Sequence, residues 1–161
     1  MAPNPVWPGE FVSLGETEVF VRTASAAGEN AGDDPAAEPV VCVHGFGGSS
    51  NNWTDLMHLL SRPAADGDAS SGDAGPPAFS CEALDLPGFG FSPPAAASCT
   101  VSGQAALVAQ LIEHRGRGPV HLVGNSFGGA VCTRVAATRP DLIRTVTLVA
   151  PAMPDLWVRP V

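Results

Sequence analysis

The chain has 161 residues, of which 45% are hydrophobic, enough for one ordinary domain with its own core. Its 16 acidic residues outnumber 8 basic ones, all of them arginine, and the formal net charge is −8. An acidic chain without a basic cluster argues against nucleic acid and anionic membrane surfaces as partners, and the lack of lysine excludes a GxxxxGK[ST] phosphate loop.

Residues 1–9 are proline-rich and are expected to be loose. This start has no basic stretch followed by an apolar core, so it does not read as a signal peptide, and no run is long enough to span a membrane. The expected compartment is therefore the cytoplasm. Strands are predicted over 10–14 and 18–23, joined by Gly15-Glu16-Thr17, and 25–38 reads as a small, acidic loop. The continuous apolar run 40–43 in "PVVCVHG" predicts a strand buried on both faces of a parallel sheet. Residues 52–61 read as a helix with Trp53, Leu56, Met57 and Leu60 on one face. The segment 62–78, "RPAADGDASSGDAGPPA", has almost nothing to bury and reads as a disordered surface insert.

A strand over 79–84 then leads into the glycine-rich turn of "DLPGFGFS". Thr100 can cap a helix that runs to about His114 and ends at Gly116. A strand over 119–123, a helix over 127–138 stopped by Pro140, and a strand over 143–149 complete the pattern. The alternation predicts an α/β fold: a mostly parallel sheet with helices on both faces. In such sheets sites form at the carboxyl ends of the strands, so the glycine-rich stretches 44–48, 87–90 and 124–129 should gather on one rim. The four cysteines, Cys42, Cys81, Cys99 and Cys132, form no C-x-x-C pair, and Cys42 and Cys132 read as small core residues. No metal and no cofactor is expected.

"GNSFG", 124–128, sits between a predicted strand and a predicted helix. That context suits a very tight turn in which Ser126 is held strained with its hydroxyl outward, while Gly124 and Gly128 avoid a clash as helix closes on strand. The helix also aims its N-terminal N–H groups at the site, favouring developing negative charge. A tetrahedral intermediate needs two fixed donors, and the N–H groups of Phe46 and Phe127 are candidates. The rival dinucleotide pattern G-x-G-x-x-G fails at Ser50, where its third glycine belongs.

Together these residues resemble the alpha/beta-hydrolase superfamily. "HGFGGSSNNW" resembles its oxyanion loop, "DLPGFGFS" its turn after the fourth strand, "GNSFGG" its nucleophile elbow and "IRTVTLVAPAMP" its sixth strand. The resemblance covers residues 10–155 and implies a fold truncated after about the sixth strand, with 156–161 beginning a cap or linker. It implies that Ser126 is the nucleophile and that Phe46 and Phe127 supply the oxyanion N–H groups. His44, Gly45 and Asn125 would shape the site, and Trp53 would line an acyl pocket or belong to the core. Serine rather than aspartate at the elbow points to a small-molecule acyl substrate: hydrolysis of an ester, thioester, lactone, amide or carbon–carbon bond, or acyl transfer.

A serine needs a base, and the family's chain order is serine, acid, histidine. Here His44, His58, His114 and His121 all precede Ser126, so the chain offers no catalytic histidine in the family's place. Asp155 is the one carboxylate close after the last strand. Three readings follow: part of a longer hydrolase, a shortened non-catalytic relative acting as a binding module, or a half completed by a second chain. The β-branched, uncharged 145–149 is expected to act as an exposed edge and a route to self-association.

Overall fold

Six strands form one sheet in the order β1-β2-β4-β3-β5-β6. The computed structural model describes residues 8–25, 37–61, 79–95 and 100–152. Of the start expected to be loose over 1–9, residues 1–7 lie outside the described residues, as do the insert 62–78, Cys99, Asp155 and 156–161, whereas Gly9 already begins the first strand. The strands are β1 (Gly9–Leu14), β2 (Thr17–Ala24), β3 (Glu38–Val43), β4 (Phe79–Leu84), β5 (Val120–Asn125) and β6 (Ile143–Val149). The helices are α1 (Thr54–Leu60), α2 (Val101–Arg115) and α3 (Phe127–Thr138). β1, β2 and β4 pair antiparallel, and β4, β3, β5 and β6 run parallel. The fold is thus the mostly parallel α/β class expected.

The apolar run in β3 has its reason in the two faces of the sheet. Val41 and Val43 pack with α2 and α3, while Val40 and Cys42 pack with Trp53 and Met57 on the other side. β1 and β2 form a hairpin whose turn places Gly15 at φ 65°, a conformation glycine adopts without a Cβ clash. α2 has the predicted ends. The Thr100 hydroxyl accepts the Gly103 N–H at 3.0 Å, and Gly116 closes the helix at φ 64°. The segment 52–61 departs from expectation: a 3-10 turn, Ser50–Trp53, precedes a short α1. The first residue of that turn is tied down, its N–H donating to the Asp85 carboxylate just after β4.

Strand order positions the site. From β3 the chain crosses to β4 on one side and then to β5 on the other, so the carboxyl ends of β3 and β5 lie together where the order reverses. The loops after these strands, 44–49 and 126, meet there.

Cys42, Cys81 and Cys132 are buried free thiols, as expected for Cys42 and Cys132. Burial pushes Cys81 and Cys132 up to about 12, and Cys42 further, so none is a thiolate at neutral pH. Among the described residues no helix is long and apolar enough to cross a membrane, and no cluster of side chains could hold a metal ion. β6 is the last strand of the described sheet, and its residues 144–149 are exposed.

Candidate active site

β5 ends at Asn125 and α3 begins at Phe127, which leaves Ser126 alone to reverse the chain. Its backbone sits at φ 49°, ψ −115°, a region that costs a non-glycine residue on the order of 1–3 kcal/mol. The surroundings hold it there. Its N–H donates to Val149 O at 3.0 Å, and its carbonyl accepts the N–H groups of Gly129 at 2.9 Å and Ala152 at 2.8 Å. The Asn125 amide also donates to Val149 O at 3.1 Å. The end of β6 therefore braces the turn from beside it.

Two glycines allow α3 to close on the sheet. A Cβ on Gly124 would lie 2.6 Å from Cys132 Sγ and from Gly128 O. A Cβ on Gly128 would run into the carbonyl oxygens of Val43 and His44. The first turn of α3 thus stands directly over the end of β3. Gly45 completes the contact from the loop side: its Cβ would be 2.9 Å from Asn125 Oδ1 and 3.2 Å from Ser126 Cβ.

The loop after β3 is a tight turn in which Gly48 N–H donates to Gly45 O at 3.0 Å, with Gly47 at φ 72°. That bond leaves the Phe46 N–H outside the turn. Phe127 is the first residue of α3, where an N–H has no intrahelical partner. The two residues are neighbours: their rings meet edge to face at 6.3 Å, and Phe46 also meets Phe89 at 5.4 Å. Beside this loop lies an open cleft of about 420 Å³. Its lining includes Gly45, Phe46, Asn52, Trp53, Asn125 and Val149, and among the described residues it has no carboxylate or guanidinium group. Trp53 belongs to the core, one of the two roles the sequence left open, and also borders the cleft. It is 8% exposed and packs with Met57 and Val123.

The model of the alpha/beta hydrolase fold family matches residues 38–161. The chain belongs to that family. Over 115 residues it is 38% identical to the dihydrolipoyllysine-residue acetyltransferase component of the acetoin cleaving system of Cupriavidus necator, covering 71% of this chain and 27% of that protein. It is 35% identical over 114 residues to lipase LipV of Mycobacterium tuberculosis, covering 71% of this chain and 37% of the lipase. A bacterial membrane phospholipase A superposes with a TM-score of 0.72 at 26% identity, over 91% of this chain and 40% of that one. The chain therefore spans less than two fifths of the length of either curated relative.

Two of the four histidines, His44 and His121, have both ring nitrogens engaged by neighbours. His44 is fully buried. Its Nδ1–H donates to Gly45 O at 2.7 Å and its Nε2 accepts the Leu86 N–H at 3.0 Å, so both nitrogens are committed in the neutral ring. His121 lies in β5 with Nε2 against Glu38 at 2.5 Å and Nδ1 against Thr145 at 2.7 Å. It lies five positions before Ser126, roughly 16 Å along the strand. His58 is within α1, and His114 is in the last turn of α2.

Burial holds the His44 pKa below the ordinary imidazole value. The unfolded chain takes up a proton near pH 6.5 that the folded chain refuses, so stability falls as pH drops below that point. The expected result is a fall in stability between pH 7 and 5 that is steeper in wild type than in His44→Gln, with the extra slope no greater than about 1.4 kcal/mol per pH unit. Urea titrations of both proteins at the two pH values check it; equal slopes would contradict the neutral, buried ring.

One residue of the site was not singled out from sequence. Asp85, fully buried just after β4, accepts the Ser50 N–H at 2.5 Å on one oxygen and the Phe91 N–H at 2.8 Å on the other. "DLPGFGFS" signalled a turn, and an acid followed by closely spaced glycines was the one available hint of an anchored carboxylate.

Proposed function

We propose that these residues form the nucleophile-bearing part of a serine hydrolase acting on an ester, thioester or related acyl substrate through an acyl-enzyme. The observation that carries the reading is Ser126 in a strained turn between β5 and α3, against the glycine loop after β3. Ser126 Oγ attacks the acyl carbonyl while a base takes the hydroxyl proton. The Phe46 and Phe127 N–H groups receive the negative charge of the tetrahedral intermediate. Collapse expels the leaving group with that proton, and water then releases the acid by the same steps in reverse order. The lipase name of one relative fits this chemistry, and the acetyltransferase name of another keeps acyl transfer beside hydrolysis. The lack of charged side chains among the described residues of the cleft wall favours a neutral acyl group. A cytoplasmic location is part of the proposal and is supported by three buried free thiols.

The base is proposed to come from polypeptide outside these 161 residues, because both nitrogens of His44 and of His121 have other partners. The chain alone should then turn over activated esters only at trace level, with residual acceleration on the order of 10³-fold over water. Efficient turnover by the chain alone, abolished by His44→Ala, would make His44 the base and overturn this assignment. Turnover remaining at trace level with the rest of the polypeptide supplied would favour the non-catalytic binding module.

The proposal extends to self-association through β6. Val146, Leu148 and Val149 are 36, 39 and 46% exposed, and β5 is the one described partner of the strand. A β-branched edge of this kind is a template for a second chain. Sedimentation should detect oligomers of the chain, and Val146→Lys or Thr147→Lys should shift them toward monomer. A wild-type monomer at high concentration with cooperative unfolding would sink the idea and favour the shortened-relative reading.

A further inference from the structure

The loop that carries Phe46 is clamped at both ends by Asp85 and Leu86, the two residues that follow β4. At its start, the Leu86 N–H donates to His44 Nε2 at 3.0 Å, and the same ring holds Gly45 O. At its far end, Asp85 Oδ1 accepts the Ser50 N–H, the first of the 3-10 turn. The Gly45–Gly48 turn lies between these ties.

Asp85 is itself fixed on several sides. Its N–H donates to Phe20 O at 2.8 Å, and its carbonyl accepts the Ser92 hydroxyl at 2.6 Å. That hydroxyl in turn accepts the Phe20 N–H at 2.8 Å. Gly90, at φ 54°, leaves its Cβ position to the carboxylate, which also accepts the Phe91 N–H. A carboxylate suits the place for a chemical reason. Both partners are donors, one per oxygen, and only an acceptor-only group satisfies both. An asparagine there would turn its NH₂ toward one of the two N–H groups.

We propose that Asp85 is a positioning residue for the oxyanion loop: its buried carboxylate, seated on the turn after β4, fixes the backbone over 44–50 and thereby the direction of the Phe46 N–H. The consequence for catalysis rests on the proposed serine-hydrolase reading. The clamp itself does not.

Two substitutions remove the tie differently. Asp85→Asn keeps the shape and loses one acceptor. Ser50→Pro deletes the donor and leaves Asp85 in place. Proline is tolerated at the first position of a helical turn, and Ser49 already has the extended backbone (φ −157°, ψ 177°) that a residue before proline requires. Amide hydrogen exchange on the 161-residue chain reads the clamp without any chemistry at Ser126. Both variants should speed exchange over 46–49 by about tenfold or more, the loss of roughly one charge-assisted hydrogen bond, while Leu122 and Val135 keep their rates. Unchanged loop rates would overturn the proposal. Equal acceleration of loop and core in both variants would also overturn it, because the residue would then serve global stability alone.

The catalytic arm uses the form of the protein in which an organophosphonate labels Ser126. Asp85→Asn should lower the saturating rate constant of labelling on the order of 10²-fold with the half-saturating probe concentration unchanged. A loosened loop with an unchanged rate constant would overturn the positioning role. If wild-type Ser126 is not labelled at all, the serine-hydrolase reading fails, and hydrogen exchange alone decides the clamp.

Discussion

Replacing Ser126 by alanine should abolish covalent labelling by an organophosphonate probe, in the protein supplied with the polypeptide that carries its base. The probe forms a bond from phosphorus to an activated hydroxyl oxygen and expels its leaving group, so the label reports which oxygen is nucleophilic. Ser126 is marked out from the other described serines by its backbone. It stands at φ 49° at the head of α3, where N-terminal N–H groups favour the charge that develops on attack. Ser49 and Ser50 lie nearby, but Ser50 is 1% exposed and begins a 3-10 turn. Peptide mapping should find one labelled site in wild type and none in Ser126→Ala. Undiminished labelling in the alanine variant, at another serine, would remove Ser126 from the mechanism.

What the sequence could disclose of this fold depended on the range of the interaction. The β3 run, the Thr100 cap and the Gly116 stop are set by neighbours within a few residues, and each lies where the pattern put it. "GNSFG" was legible for the same reason: strand, strained residue and helix start lie within one short stretch. The partners of Asp85 were not. Ser50 is 35 residues away in the chain, and nothing local distinguishes an acid that holds a distant N–H from a solvated one. His121 is similar. Its place in a strand was readable, but its bond to Glu38 crosses 83 residues and depends on strand order. The boundary at 50–53 was missed because apolar spacing does not separate a 3-10 turn from an α-helix over so few residues.

Gly128→Ala should destabilise the chain by about 3 kcal/mol, near the upper end of what an overpacked methyl group costs. The added Cβ has no flexible side chain to displace. It meets the carbonyl oxygens of Val43 and His44, which are backbone atoms at the end of a buried strand. Relief requires α3 to lift from the sheet. That movement would strain the turn at Ser126, whose carbonyl holds the Gly129 N–H, and draw it away from Gly45. Gly116→Ala is the useful comparison. Gly116 has φ 64° and nothing within 4 Å of its Cβ position, so its cost is conformational alone, on the order of 1–2 kcal/mol. Urea unfolding of the two variants separates crowding from backbone preference. If Gly128→Ala is no less stable than Gly116→Ala, the close approach of α3 to β3 is not what the glycine is there to allow.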